Sequence, residues 1–228
     1  MNNSEVIVTS NPKSLFSESI KTVRTNLQFS LINSDIKVIL LTSPEPGDGK
    51  SFVSANLAAA FAQENKKVLL IDSDLRKGRQ YRIFKVKNDK SKGYSNLILS
   101  SKDDQTIKDF ITKTDINNLD LLTTGAMPPN PTELLTSTNN KELMKKLREM
   151  YDIIILDCAP SLGLNDTIVM TRLSDINVVV VAKGKTKMET LSQVKKAFEK
   201  ANATINGVIL NKVKQKDVSY YGKYGYGE

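Results

Sequence analysis

Short apolar runs recur along the chain, and each is rich in valine, isoleucine and leucine. Within a run the apolar positions are mostly continuous rather than alternating with polar ones, which is typical of strands buried on both faces of a parallel sheet. We therefore predict six strands, at residues 37–43, 67–72, 119–124, 151–157, 176–182 and 205–211.

Segments with helical periodicity separate the predicted strands. Residues 51–65 are dense in alanine and aliphatic side chains, and residues 186–202 place apolar side chains at intervals of three and four. Thr186 and Glu189 fit a capping box at the start of the second segment. The alternation of strands and helices predicts an α/β fold, a doubly wound and mostly parallel sheet with helices on both faces.

An amphipathic helix is predicted before the first strand, over residues 14–32. One stripe of this helix is apolar and another is charged, so it can pack on the domain and still present polar side chains. The apolar stripe contains Phe16, Ile20, Val23, Leu27 and Leu31, and the charged face carries Glu18, Lys21 and Arg24.

The length of the chain suits a single domain. It has 228 residues, 39% of them hydrophobic, which is enough for one sizeable core. We predict one domain over residues 1–217, a flexible tail over residues 218–228, and a mobile surface segment in the charged stretch from Phe84 to Gln105. No apolar run approaches the roughly 18 residues of a membrane span, and the N-terminus lacks the layout of a signal peptide. We therefore expect a cytoplasmic protein.

The composition excludes several kinds of chemistry. Histidine is absent, which removes histidine-based acid–base catalysis, Ser-His-Asp triads and histidine-ligated zinc. The single cysteine, Cys158, excludes an internal disulfide and an all-cysteine metal site within one chain. A formal charge of +8 suits an anionic partner such as a nucleotide. Catalysis must then depend on Asp, Glu, Lys, Arg, Tyr or a bound cation.

The string "TSPEPGDGKS" at residues 42–51 follows a predicted strand and opens a predicted helix, which is the context of a phosphate-binding loop. Its two glycines let several backbone N–H groups converge on one anion, and the start of the helix adds to the positive field. Pro44 replaces the first glycine of the usual string. Lys50 would reach the β- and γ-phosphates, and the Ser51 hydroxyl would bind Mg²⁺. The residues expected to bind nucleotide here are Gly47, Asp48, Gly49, Lys50, Ser51 and Phe52.

A dinucleotide site is the alternative for a glycine loop in this position. Asp72 lies 22 positions after Lys50, near the place of a ribose-binding acid. Phe52, however, occupies the position of the third glycine of G-x-G-x-x-G, and the Lys-Ser pair has no role in such a site. Phosphoryl chemistry is therefore favoured.

Three aspartates follow apolar runs: Asp72 and Asp74 in "LLIDSDLR", and Asp157 in "IIILDCAP". In open parallel sheets ligands gather outside the carboxyl ends of the strands, so these acids are expected to face the same crevice as Lys50. An aspartate after a buried apolar run is a common magnesium ligand in nucleoside triphosphatases.

Together, the glycine loop, the two acidic boxes and a terminal tyrosine cluster resemble the bacterial tyrosine kinases that control capsular and exopolysaccharide synthesis. The resemblance runs from "ESIKTVR" to the C-terminus, over nearly the whole chain. That family belongs to the deviant phosphate-loop ATPases, which include cell-division and plasmid-partition proteins. Glu45 stands where those branches generally carry a signature lysine.

The resemblance implies a role for each matched residue, with ATP and Mg²⁺ as the cofactors. Asp72 would be the base that accepts the proton of the tyrosine hydroxyl, and Asn211 matches a strand-end asparagine that contacts adenine. The residues implied to act in catalysis are Lys50, Asp72, Asp74 and Asp157, and the implied metal ligands are Ser51, Asp74 and Asp157.

The resemblance also implies partners. The family motif E-x-x-R-x-x-R, which contributes to subunit contacts in a ring, appears here as Glu18, Lys21 and Arg24. Lys21 replaces the first arginine, and a lysine cannot form the bidentate fork of an arginine. A transmembrane activator or polysaccharide co-polymerase would hold the kinase at the inner membrane face, and a tyrosine phosphatase would oppose it. No nucleic-acid partner is expected.

The predicted tail offers such a kinase a substrate within its own chain. It holds four of the chain's seven tyrosines, spaced by glycines. A tail anchored near its own last strand suits transfer between neighbouring subunits. Each phosphate adds about −1.5 to −2 charges, so four would nearly cancel the excess positive charge. The expected phosphorylation sites are Tyr220, Tyr221, Tyr224 and Tyr226.

Two other functions fit parts of the sequence. A partition- or division-type ATPase switch explains the loop and the acids but leaves the tyrosines without a role. A non-enzymatic scaffold that stacks its aromatic tail on polysaccharide or nucleic acid explains only the tail. The sequence favours an ATP-dependent tyrosine kinase that autophosphorylates its tail in trans.

Overall fold

The computed structural model describes residues 5–31, 37–100 and 102–214. The tyrosine-rich tail predicted at residues 218–228 lies outside these ranges, so its boundary with the domain stays a prediction.

Within the described residues, seven strands form one sheet. The strands are β1 (Val38–Thr42), β2 (Val68–Asp72), β3 (Thr112–Lys113), β4 (Leu119–Leu122), β5 (Ile153–Asp157), β6 (Ile176–Ala182) and β7 (Gly207–Asn211). Their order is β3-β4-β2-β5-β1-β6-β7. Only the edge strand β3 runs antiparallel to its neighbour. Six strands match the predicted ones and confirm the mostly parallel sheet, whereas β3 is too short to leave a pattern in the sequence.

Ten helices occur in the same part of the chain. They are α1 (Ile7–Ser10), α2 (Leu15–Leu31), α3 (Lys50–Ala62), α4 (Gln80–Ile83), α5 (Tyr94–Leu99), α6 (Asp104–Phe110), α7 (Pro131–Thr136), α8 (Thr138–Met150), α9 (Asp166–Met170) and α10 (Met188–Lys200). No helix among the described residues is both long enough and apolar enough to cross a membrane.

Different helices cover the two faces of the sheet. Ile39 and Leu41 of β1 belong to a core shared with α2 and α3, whereas Val38 and Leu40 belong to a second core shared with α5 and α8. All four side chains are fully buried. Because both faces of the central strands are covered, apolar residues occupy consecutive positions in them.

The charged stretch from Phe84 to Gln105, predicted as a surface segment, is only partly at the surface. It contains α5, whose Tyr94, Leu97 and Ile98 are fully buried in the second core. The Tyr94 hydroxyl donates a hydrogen bond of 2.7 Å to Asn140 Oδ1 on α8. A few buried side chains therefore anchor a segment that is otherwise charged.

The capping box predicted at Thr186 and Glu189 is also wrong. Helix α10 begins at Met188, and Lys187 occupies the N-cap position. The Thr186 hydroxyl instead accepts a hydrogen bond from the backbone N–H of Ala182, at the end of β6. The threonine thus stabilises the turn that leaves the strand rather than the start of the helix.

Replacing Tyr94 with phenylalanine should lower the free energy of unfolding by about 1–3 kcal/mol, because it removes the donor to a buried acceptor. Tyr81→Phe is the matched control, since that hydroxyl pairs with Arg82 at an exposed position; its effect should stay within about 0.5 kcal/mol. Urea unfolding measures both. Equal effects would show that the Tyr94 bond does not anchor α5.

Candidate active site

The phosphate loop lies between β1 and α3, and its backbone requires glycine. Gly47 and Gly49 have φ values of 84° and 98°, in the left-handed region. A Cβ on Gly49 would lie 2.1 Å from Asn211 Nδ2. Asn211 Nδ2 donates a hydrogen bond of 2.9 Å to the carbonyl of Asp48. The asparagine expected to contact adenine thus supports the loop, and its contact with the base stays a prediction.

Two lysines that the sequence did not mark also hold the loop. Lys185 Nζ, after β6, lies 2.7 Å from Asp48 Oδ1 and 2.6 Å from the carbonyl of Pro46. Lys212 Nζ, after β7, donates a bond of 2.6 Å to the carbonyl of Gly47. Asp48 is fully buried, so the Lys185 ion pair fixes the middle of the loop. No local motif surrounds these lysines in the sequence, because only the sheet order brings them to the loop.

The three predicted aspartates come together at the carboxyl ends of their strands. Asp72 and Asp157 are register partners on β2 and β5. Lys50 Nζ lies 3.2 Å from Asp74 Oδ2 and 3.4 Å from Asp157 Oδ1, and 3.3 Å from the hydroxyl of Ser51. All three carboxylates are buried. The structure therefore brings these predicted site residues into one crevice, and their individual roles stay predictions.

The charges in this crevice do not balance. Burial and the neighbouring carboxylate of Asp157 raise the pKa of Asp72 to about 8. Burial disfavours the charged form of Lys50, but Asp157, Asp74 and Asp72 outweigh that effect and hold its pKa above the ordinary value. Three carboxyl groups thus surround one ammonium group. The raised pKa of Asp72 shows that the site disfavours a further negative charge and favours the entry of a positive one.

A glutamine and a glycine after β2 complete the crevice. Gln80 is fully buried, and its side-chain Nε2 donates to Asp157 Oδ2. Gly78 packs so closely that an added Cβ would lie 2.1 Å from Thr124 Cγ2 and 2.6 Å from Asp72 Oδ2. Sequence reasoning missed both residues, since neither an amide nor a lone glycine marks a site.

The arginine of the "DLR" string anchors the segment that carries Asp72 and Asp74. Arg76 Nε lies 2.6 Å from Asp166 Oδ2 at the start of α9. Burial opposes ionisation of Asp166, yet hydrogen bonds from Arg76 and Thr132 hold the pKa of this carboxyl below its ordinary value. The ion pair ties the β2 loop to α7 and α9, outside the cluster around Lys50.

Two further residues have local roles in packing. The ring of Phe52 lies 5.0 Å from that of Phe16 on α2, and its predicted contact with nucleotide stays a prediction. Cys158 is fully buried, and burial raises the pKa of its thiol to about 12. The cysteine is therefore a packed residue with little thiolate at neutral pH.

The three residues of the predicted subunit contact make contacts within their own chain. Lys21 Nζ lies 2.7 Å from Glu18 Oε1 and 2.9 Å from the carbonyl of Pro12. Arg24 donates to the carbonyl of Ala60 on α3 and lies 2.8 Å from Glu64 Oε1. A role of this motif in a ring stays a prediction, and it would require at least some of these contacts to be shared or exchanged.

Known proteins resemble this chain over nearly its full length. A family profile described as an AAA domain matches residues 36–210. Tyrosine-protein kinase YwqD of Bacillus subtilis (strain 168) is 38% identical over 96% of this chain and 91% of its own length. The putative tyrosine-protein kinase CapB of Staphylococcus aureus is 37% identical, with coverages of 99% and 96%.

Solved structures show the same likeness. The chimerical protein CapA2B2 has 35% identity and a TM-score of 0.86, covering 94% of this chain and 92% of its own. The kinase domain of the Escherichia coli tyrosine kinase ETK has 32% identity and a TM-score of 0.86, with coverages of 94% and 82%. The sheet order and the glycine loop define a phosphate-loop nucleotide-binding fold. Within that class, the chain belongs to the AAA-domain family of bacterial tyrosine-protein kinases.

Gly49→Ala should weaken nucleotide binding by about tenfold or more, because alanine at this φ costs about 1–2 kcal/mol and the added Cβ meets Asn211. Gly207→Ala is the matched control, since its added Cβ has no neighbour within 4 Å in the described part of the chain. Titration with fluorescent ADP measures both affinities. Unchanged binding by the Gly49 variant would show that the loop does not need this conformation.

Asp72→Asn should stabilise the nucleotide-free protein above pH 4. The folded-state pKa of Asp72 is raised from 3.8 to about 8, so the parent protein loses stability as pH rises through this interval, and a neutral side chain escapes that loss. The gain should grow towards pH 8 and reach at least about 1 kcal/mol there. Urea titrations without Mg²⁺ across this range measure it. A variant less stable than the parent at pH 8 would contradict the electrostatic account.

Proposed function

We propose that this kinase uses ATP and Mg²⁺ to phosphorylate the tyrosine-rich C-terminal tail of a neighbouring subunit. The observation that supports the proposal most directly is the position of Lys50. Its Nζ lies within 3.4 Å of both Asp74 and Asp157 at the end of the phosphate loop. A cation, two carboxylates and an anion-binding loop therefore share one crevice, as phosphoryl transfer requires.

The residues present fit a nucleotide with Mg²⁺. Asp72 Oδ1 is buried and has no hydrogen-bond partner among the residues that the structure describes, so the crevice holds an acceptor that an ion or its water would satisfy. The described residues contain no group of three or more acidic or thiol side chains able to hold a metal. Asp74 and Asp157 beside the phosphate loop suit Mg²⁺, which usually binds one or two carboxylates together with substrate phosphates. Ser51, Asp74 and Asp157 would hold it.

The chain's own residues supply the remaining steps. Bound Mg²⁺ would neutralise charge on the phosphates. Lys50 would exchange its carboxylate contacts for phosphate oxygens when ATP enters. The tyrosine oxygen would attack the γ-phosphorus as the bond to the bridging oxygen of ADP breaks. Asp72 would accept the phenolic proton once the cation has entered, because a positive charge nearby favours the ionised form of its carboxyl group.

The tail supplies the proposed acceptors at Tyr220, Tyr221, Tyr224 and Tyr226. In the sequence, glycines lie among these tyrosines, and the proposal requires the segment to reach the crevice of a neighbouring subunit. Transfer between subunits requires association, for which the motif of Glu18, Lys21 and Arg24 on α2 is the proposed contact. Four phosphates would shift the charge of the protein by about −6 to −8, enough to change its attraction to an anionic surface or a partner.

The proposed setting is capsular or extracellular polysaccharide synthesis and export at the inner face of the cell membrane. One relative, 32% identical over 95% of this chain and 29% of its own length, is named as a putative tyrosine-protein kinase in the cps region of Klebsiella pneumoniae. A transmembrane activator would hold the kinase at the membrane, and a tyrosine phosphatase would reverse its action. Both partners are proposed from the family resemblance of the sequence motifs.

Purified protein incubated with ATP and Mg²⁺ should acquire phosphotyrosine in residues 218–228, as located by mass spectrometry. Lys50→Met should reduce labelling by at least about a hundredfold, because the variant loses the cation that contacts the phosphates. Lys66→Met, at an exposed position, is the matched control and should be labelled like the parent.

Mixing the Lys50→Met protein with an active protein truncated after Ser219 tests transfer between subunits. Labelling of the Lys50→Met tail is the expected result. Labelling of the parent alone, with none in the mixture, would contradict the trans mechanism. ATP hydrolysis without phosphotyrosine in any sample, including one that contains the cytosolic segment of the proposed activator, would contradict tail phosphorylation and favour an ATPase switch.

A further inference from the structure

Gln80 joins three parts of the candidate site that lie far apart in the sequence. Its side-chain Nε2 donates bonds of 2.7 Å to Asp157 Oδ2 and 3.0 Å to the backbone carbonyl of Ser51. Its backbone N–H donates a bond of 2.9 Å to Asp72 Oδ2. One residue at the start of α4 therefore contacts the ends of β2 and β5 and the first turn of α3.

These bonds occupy Oδ2 of each carboxylate, and Asp157 Oδ1 accepts a hydrogen bond of 3.4 Å from Ser54 Oγ. Asp157 Oδ1 lies 3.4 Å from Lys50 Nζ. Asp72 Oδ1 and Gln80 Oε1 are both buried without a hydrogen-bond partner among the described residues. Buried hydrogen-bond acceptors in native proteins are seldom left without a partner. The pattern indicates that both atoms face a ligand or its water when the site is filled.

A neutral amide suits this position better than a charged donor. An arginine or lysine here would compete with Lys50 and with a bound cation for the same carboxylates. An amide N–H group restricts the rotation of a carboxylate without adding charge, as hydrogen-bonded neighbours of metal ligands commonly do.

We propose that Gln80 is a positioning residue, which fixes the carboxylate oxygens that Asp157 and Asp72 present to Lys50 and to the cation. The inference rests on the proposed function, because it assigns these carboxylates to a cation and a phosphoryl-transfer reaction. It adds a residue that no motif in the sequence marks.

The test compares Gln80→Leu and Gln80→Met, which lack the side-chain donor, with Gln80→Asn, which keeps a neutral amide donor on a side chain one methylene shorter. Methionine has the same chain length as glutamine, so Gln80→Met replaces Gln80→Leu if the protein with the branched leucine does not fold. The backbone bond to Asp72 remains in all three. Gln105→Leu is the matched control, since Gln105 bonds Asp109 at an exposed position.

Fluorescent ADP binding in Mg²⁺ and in EDTA gives a readout besides activity. In the parent protein, Mg²⁺ should raise the affinity for ADP above its value in EDTA. In the apolar variants this increase should be smaller by a factor of about ten or more, which is the scale of one hydrogen bond to a charged group. Their affinity for ADP in EDTA should match that of the parent protein. Their kcat for phosphotyrosine formation should fall by a similar factor with little change in KM for ATP, and asparagine should restore part of both.

Apolar variants that bind Mg·ADP as tightly as the parent would overturn the inference. Equal losses in Mg²⁺ and in EDTA would also overturn it, because they would show a general packing role. If the parent forms no phosphotyrosine, the proposed kinase reaction fails, and the binding comparison still decides the role of Gln80.

Discussion

The structure of the site depends on one electrostatic constraint: three carboxylates are buried around a single lysine ammonium. Such a group of charges is costly to remove from water unless each is paired or hydrogen-bonded. Lys50 lies near Asp74 and Asp157, and Gln80 donates to Asp72 and Asp157. The nucleotide-free site therefore carries an excess of negative charge, which a divalent cation would offset.

The fold satisfies this constraint by placing the ends of several strands side by side at one edge of the sheet. Because β1, β2 and β5 are adjacent and parallel, the phosphate loop and the acidic boxes emerge at the same edge of the sheet. The neighbouring strands β6 and β7 contribute Lys185, Lys212 and Asn211, which hold the loop through Asp48 and backbone carbonyls. The loop therefore has its shape before any ligand enters. Strands β6 and β7 carry none of the three site aspartates, yet the residues at their ends stabilise the loop.

Much of the fold and part of the site could be predicted from the sequence, because apolar runs and the glycine loop are local signals. The convergence of Asp72 and Asp157 followed from the rule for parallel strand ends. Gln80, Lys185 and Lys212 could not be found in this way, since their roles arise from contacts between distant segments. The burial of the segment around Tyr94 could not be predicted either, because a few deeply buried side chains lie among many charged residues.

The most direct test of this account is a crystal structure of the protein with a non-hydrolysable ATP analogue and Mn²⁺ in place of Mg²⁺, in which anomalous scattering locates the ion. The account predicts one strong anomalous peak in the crevice, bound by the Ser51 hydroxyl and the phosphates and contacting Asp157 or Asp74 directly or through water. A nucleotide bound with no peak there, or a peak remote from all three residues, would contradict it.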